Sequence, residues 1–497
     1  MVVISVTQSC NLVIFGAKGD LVRRKLLPSL YQLEKMNAIH PNTCIIGVGR
    51  AMWDSLFYRN RVIRVALEEF MLEPINESVW KIFSARFQFC NLDVKNISAF
   101  DSLLRNIHCV ETCVIIYYFA VPPDLFGAIC QGLGMFGLNK KSSRIVMEKP
   151  LGTGLNSARL INSQVAKYFD EDQIYRIDHY LGKETVLNLL ALRFANSLFA
   201  YNWDHRIIDH VQITVAEEVG IEGRWGYFDS IGQMRDMVQS HLLQILTIIA
   251  MSPPSNLTAD CIRDEKVKVL RDLRVINDTN ICNIVRGQYV SGYMSNNRKV
   301  PGYLEESGAN KHSITETFVA IRVDIDNWRW AGVPFYLRTG KRLPTKSSEV
   351  VVVFKRPIHN LFCDSYHTLP NNRLIIRLQP NEGIDMKILS RMPGLGHKHQ
   401  LQIAALDLKF IEMFNQEYLF DAYERLLLEA MNGIQTLFVR RDEVECAWKW
   451  VDSIIQSWCI VNNHYTQLKF YSAGTWGPEA SSAMIARDGR CWNENSR

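Results

Sequence analysis

The feature that most constrains this chain is a short apolar run, Asn11–Phe15 (NLVIF), that stops at Gly16 and passes at once into a helical pattern. A run without polar alternation reads as a strand buried on both faces, and such strands belong to parallel sheets covered by helices. The helical pattern is carried by Leu26, Leu27, Leu30 and Leu33 within Leu21–Met36. Three further runs repeat the arrangement: Cys44–Val48, closed by Gly49 and Arg50; Val114–Ala120, stopped by Pro122 and Pro123; and Arg144–Met147, ending at Glu148-Lys149-Pro150. Short buried strands separated by helices predict a doubly wound α/β layer.

Past about residue 200 the texture changes. Val211–Val215, Thr317–Val323, Val350–Phe354 and Leu374–Leu378 alternate apolar and polar positions, the pattern of antiparallel strands with one wet face. Helices are expected at Gln233–Ala250, Ile403–Phe414 and Asp421–Phe438. A chain of 497 residues exceeds one ordinary core. The expected architecture is therefore an α/β Rossmann-type nucleotide-binding domain over residues 1–200. A larger α+β domain with a mainly antiparallel sheet follows over 201–497.

Composition narrows the function classes. The net charge is +5, from 56 Lys and Arg against 51 Asp and Glu, and no basic run is long enough to track nucleic acid or a membrane surface. The amino-terminal segment lacks the basic start of a signal peptide, and no apolar stretch reaches the ~18 residues that span a bilayer. A soluble, cytoplasmic protein is expected. The 12 cysteines are scattered without a CxxC pair. Cys109 and Cys113 beside His108 come nearest to a ligand cluster, but a fourth ligand is missing. Reduced, packed thiols and no metal are expected.

Several segments carry chemistry. Gly16-Ala17-Lys18-Gly19-Asp20-Leu21 lies between a strand and a helix, where glycines let backbone approach a phosphate and the helix start offers free N–H groups. With two glycines rather than three it is a weak signal. Arg50 sharpens it: after the second strand an acidic residue suits the ribose hydroxyls of NAD, whereas an arginine suits the 2′-phosphate of NADP. In Tyr175–Glu184 (YRIDHYLGKE), a helix would place His179 and Lys183 at i,i+4 with Tyr180 beside them, a set suited to a phosphate rather than a metal. Lys149, at a strand end, is placed to reach both a cofactor and a substrate. His241 stands where an apolar helix begins, five residues after Asp236. It is either a satisfied core histidine or a general base, and the pattern alone leaves both open.

Taken in order, GAKGDL with RRKLLPSLYQL, then EKPLG, RIDHYLGKE, RTGKRLPTK and a closing GTWGP at Gly474–Pro478 resemble the glucose-6-phosphate dehydrogenase family from about Asn11 onward. The resemblance implies oxidation of D-glucose 6-phosphate at C1 to 6-phospho-D-glucono-1,5-lactone with NADP as acceptor, the first step of the oxidative pentose phosphate pathway. It implies a phosphate loop of Gly16, Ala17, Lys18, Gly19, Asp20, Leu21, Val22 and Arg23. Arg50 would hold the 2′-phosphate, Leu92, Asp93 and Tyr118 would lie beside the nucleotide, and Lys149, before a cis Pro150, would touch both ligands. His179, Tyr180 and Lys183 would take the 6-phosphate. Glu217 and Asp236, with Lys341 and Lys346, would hold the sugar hydroxyls. His241 would accept the proton and Asp178 would orient it. A homodimer or homotetramer paired through the large sheet is implied, and no metal.

The chain departs from the family at Lys18, where Ser or Thr is common, and Asn463–Tyr471 reads irregularly. Two rival readings carry less. An NADP-dependent oxidoreductase of a non-phosphorylated sugar would not need the cations at 179 and 183, and a catalytically dead NADP sensor would not need Asp178 and His241.

Overall fold

A computed structural model of the chain describes every residue except 1–5, 7, 108–112, 278–279, 364–366, 394–399, 414–419, 459–466 and 495–497. His108, Cys109 and residues 463–466 lie outside the described residues; Cys113 is a free thiol. Among the described residues, no helix is long and apolar enough to cross a membrane.

The first compact unit comprises residues 1–183, 254–264 and 420–445. Its sheet contains β1 (Cys10–Phe15), β2 (Cys44–Gly49), β3 (Phe87–Asn91), β4 (Val114–Phe119), β5 (Arg144–Met147) and β6 (Ile174–Ile177), with Phe438–Val439 added at the edge. The spatial order is 438–439, β6, β5, β4, β1, β2, β3, and the first six strands are all parallel. The order reverses at β1, so the carboxyl ends of β1, β2 and β4 open a crevice there. Val13, Phe15, Ile115, Tyr117 and Phe119 are buried in one cluster with Phe126 and Leu133, which explains why these strands read as unbroken apolar runs.

The expected single boundary at residue 200 does not describe this unit, which ends at Lys183 and takes back two later segments. Phe438–Val439 pairs antiparallel with β6, and the Arg263 guanidinium donates to the Phe438 and Gln435 carbonyls at 3.0 and 2.7 Å. Long-range edge pairing of a two-residue strand leaves no periodicity to read.

The second unit comprises residues 184–253, 265–419 and 446–497. Among the described residues its sheet has nine strands, in spatial order 401–409, 383–391, 373–379, 347–354, 208–216, 335–340, 318–323, 284–290 and 469–472. Adjacent pairs are antiparallel except 208–216 with 335–340 and 284–290 with 469–472. The helix expected at Ile403–Phe414 is a strand, Leu401–Lys409, for most of its length, and turns helical only at Phe410. Nine consecutive cross-strand pairs, from Leu401↔Arg391 to Lys409↔Gly383, override the helix-forming tendency of its Ala and Leu residues. The helix expected at Asp421–Phe438 is shorter, Ala422–Asn432, ended by Gly433 in the left-handed conformation.

Candidate active site

At the end of β1, Gly16 has φ +86°, and a Cβ there would lie 2.3 Å from the Ala120 carbonyl oxygen. Only glycine fits that turn. The Gly16 and Ala17 amides donate to Val48 O at 3.0 and 3.1 Å, and Gly19 N–H closes back on Gly16 O at 2.8 Å. A cavity of about 580 Å³ opens over these ends. Gly16, Ala17, Lys18, Gly19, Arg50, Leu92 and Asp93 are among the residues that line it. Lys18, Arg50 and a third cation, Lys95, supply positive charge, so the site suits a phosphate-bearing ligand. A glycine cradle with no room for a Cβ, flanked by cations, fits a dinucleotide phosphate.

Sequence reasoning missed Lys95 and the aromatic wall of Trp53 and Phe89, whose rings are 5.2 Å apart. Neither aromatic residue belongs to a motif, and the β3 strand that carries Phe89 is interrupted by polar Gln88. Other expected cofactor residues do not line the cavity. Asp20 pairs with Arg24 at 2.6 Å, Arg23 pairs with Glu69 at 2.7 Å, and Val22 is fully buried in the helix. Tyr118 is within the sheet, 1% exposed, and its hydroxyl donates to Glu148 Oε1 at 2.5 Å. Burial pushes Glu148 up to about 7, although the Tyr118 hydroxyl and the charge of Lys149 act the other way. Lys149 follows Glu148, and its bond to Pro150 is cis.

The phosphate-suited segment is not helical as expected. β6 ends at Ile177, and Leu181, Gly182 and Lys183 N–H groups bond back three residues to Asp178, His179 and Tyr180 carbonyls at 3.0, 3.3 and 3.2 Å. The helix begins only at Glu184. These tight turns still gather the side chains. Lys183 Nζ lies 4.2 Å from the centre of the Tyr180 ring, and the His179 ring is 5.1 Å from the same ring. Lys183 is 5% exposed. An ammonium held that deep gains from an anionic ligand. Asp178 is buried, and its Oδ1 accepts the Tyr180 N–H at 3.0 Å, which fixes the carboxylate through the turn. Tyr423, missed because it lies far along the chain, stacks parallel to His179 with centroids 6.3 Å apart.

In the second unit, the neighbouring parallel strands 208–216 and 335–340 end side by side, and the residues just past them are Glu217 and Lys341. Lys341 Nζ contacts Glu217 Oε2 at 2.9 Å, and the Glu217 N–H donates to Gly340 O at 3.0 Å. Lys346, five residues on, is exposed. Asp236 and His241 share a helix that is π-helical over Met234–Leu242 and α-helical over Leu243–Ala250. His241 is 1% exposed and Asp236 half-buried. The buried Arg193 guanidinium donates to the Ile248 and Met251 carbonyls at 2.5 and 2.7 Å, a cation at the helix carboxyl end where the peptide dipoles favour it.

Two family models match the chain. "Glucose-6-phosphate dehydrogenase, NAD binding domain" covers residues 13–188, and "Glucose-6-phosphate dehydrogenase, C-terminal domain" covers 190–493. The chain belongs to the glucose-6-phosphate dehydrogenase family. It is 67% identical over 495 residues to the glucose-6-phosphate 1-dehydrogenase of Dickeya dadantii, covering 99% of this chain and 100% of that one. With the Buchnera aphidicola enzyme of the same name (subspecies Schizaphis graminum) it shares 55% over 492 residues, 99% of each chain. Among solved structures, the glucose-6-phosphate 1-dehydrogenase of Mycobacterium avium is 34% identical with a TM-score of 0.86, covering 99% of both chains. A glucose-6-phosphate dehydrogenase in complex with glucose 6-phosphate is 33% identical with a TM-score of 0.88, again covering 99% of both.

Proposed function

We propose that this chain oxidises D-glucose 6-phosphate to 6-phospho-D-glucono-1,5-lactone in the cytoplasm, reducing NADP and opening the oxidative pentose phosphate pathway. The observation that carries this reading is 67% identity, over the full length, to a glucose-6-phosphate 1-dehydrogenase. The catalytic positions assigned above, Asp178 and His241, are both present in the sequence.

The Gly16–Gly19 loop and Lys18 would hold the pyrophosphate, with Asp20 to Arg23 opening the helix behind it, and Arg50 the 2′-phosphate. When bound, NADP supplies the hydride acceptor. His179, Tyr180 and Lys183 hold the sugar 6-phosphate; Glu217, Asp236, Lys341 and Lys346 hold the sugar hydroxyls. Lys149 reaches both ligands. His241 takes the proton of the C1 hydroxyl as the C1 hydride departs, so the C1–O bond becomes the lactone carbonyl. Asp178 stabilises the imidazolium that forms.

The direct test follows NADPH absorbance with glucose 6-phosphate and either NADP or NAD. Arg50→Ala should weaken NADP by ~10–150-fold and leave NAD nearly unchanged, because a charge-assisted phosphate contact contributes about 1.5–3 kcal/mol. Equal losses with both cofactors would make Arg50 structural.

The chain is also proposed to pair through its large sheet. Strand 401–409 is the sheet's last strand among the described residues, and it exposes Ile403, Leu406 and Leu408 at 60, 55 and 49%. Sedimentation should show a dimer or a dimer of dimers of the 57.2 kDa chain. A monodisperse monomer at micromolar concentration would rule out this pairing.

A further inference from the structure

The helix that carries Asp236 and His241 starts against a buried acid. Gly232 has φ +74° and ψ 169°, which breaks the preceding helix from the one that follows. A Cβ on Gly232 would lie 2.4 Å from Glu316 Oε1. Glu316, 4% exposed, accepts the Met234 N–H on that same oxygen at 3.0 Å, and its backbone carbonyl accepts the Gln233 N–H at 3.0 Å. Two of the amides that a helix start leaves unsatisfied thus end on one residue. A carboxylate there is favoured by the peptide dipoles, yet its burial is costly and pushes its pKa up, with the hydrogen bond from the Met234 amide, and after it Arg235 and Arg286, offsetting this only in part.

The same turn is tied to the sugar-hydroxyl residues. Gln233, fully buried, donates through Nε2 to Thr339 Oγ1 at 2.9 Å and stands 3.5 Å from Glu217 Oε2. Thr339 lies two residues before Lys341, the ion-pair partner of Glu217. Glu316 therefore grips a turn that bears Asp236 on one side and braces Glu217 through Gln233 on the other.

We infer that Glu316, seated against Gly232, is a positioning residue that sets Asp236 and Glu217 at the spacing the sugar hydroxyls require. The inference rests on the proposed substrate and on the roles proposed for Asp236 and Glu217. Hydrogen-bond recognition of hydroxyls is sensitive to displacements of an ångström or less, so loosening the seat should appear as lost sugar selectivity.

The test compares wild-type chain with Glu316→Ala, Glu316→Asp, Glu316→Gln and Gly232→Ala. Each is assayed for kcat and KM with glucose 6-phosphate, KM with NADP, and efficiency with the epimers mannose 6-phosphate and galactose 6-phosphate. Glu316→Ala removes the acceptor and Gly232→Ala pushes it aside, so both should raise KM for glucose 6-phosphate roughly tenfold and narrow the epimer preference by a similar factor. KM for NADP should stay within about twofold, since that site belongs to the first unit. Glu316→Asp should show the same shift in smaller size, and Glu316→Gln, which keeps an oxygen acceptor, should retain most of the affinity. Folded Ala or Asp variants with lower melting temperature but unchanged KM and epimer ratio would overturn the inference and leave Glu316 a merely structural acid. So would a Glu316→Gln variant as impaired as Glu316→Ala. A wild type inactive on glucose 6-phosphate would instead overturn the substrate reading itself.

Discussion

His241→Asn should lower kcat with glucose 6-phosphate by ~10²–10⁴-fold while leaving the dissociation constants of sugar phosphate and NADP within a few-fold of wild type. That loss corresponds to about 3–5 kcal/mol of barrier, the weight of a positioned general base. Asparagine keeps a polar side chain of similar reach but cannot take a proton at neutral pH. His241 is 1% exposed and sits inside a helix whose carboxyl end is held by Arg193, so the substitution should cost stability too, and turnover must be normalised to folded protein. Asp178→Asn is the companion variant. Its Oδ1 is held by the Tyr180 amide, so the shape of the turn should survive while the charge that stabilises an imidazolium is lost. A His241→Asn enzyme with intact kcat and weakened sugar binding would make His241 a binding residue and send the search for the base elsewhere.

The parts of the fold that were legible before the structure are those whose burial imposes a local pattern. β1, β2, β4 and β5 are enclosed in the first unit's sheet, so sequence alone showed apolar runs with glycine or proline at their ends. β3 escaped notice because Gln88 and Asn91 interrupt it, and β6 because it carries Arg176. That arginine is 1% exposed and is satisfied by Asn162 and Glu171, partners no periodicity announces. The site shows the same division. Candidate residues tied to a glycine turn or a dense motif, such as Gly16, Arg50 and Lys183, are legible in the sequence; Tyr423 is not, because it comes from a distant segment, nor is Lys95, which stands two residues after Asp93 but belongs to no motif. The strand at 401–409 was misread because its neighbour, not its composition, decides its conformation.

The phosphate pocket gives the second large effect, and it separates the proposed reaction from oxidation of a neutral sugar. His179, Tyr180 and Lys183 converge through successive turns rather than along one helix face, with the Lys183 ammonium over the Tyr180 ring and the His179 ring stacked on Tyr423. A lysine, a histidine and a tyrosine gathered this closely match a phosphate dianion in charge and in donors, which a neutral hydroxyl does not. Glucose should therefore be a worse substrate than glucose 6-phosphate by at least ~10³-fold in kcat/KM, as expected where a polar site meets an analogue lacking its matched group. Lys183→Ala should cut efficiency with glucose 6-phosphate by ~10–150-fold, the weight of one charge-assisted contact, and barely change the slow rate with glucose. The measurement is the ratio of the two efficiencies in wild type and variant. If Lys183→Ala leaves that ratio unchanged, Lys183 does not hold the phosphate, and its burial over Tyr180 is packing alone. If the wild type treats the two sugars alike, these turns form no phosphate site, and the neutral-sugar oxidoreductase becomes the better reading.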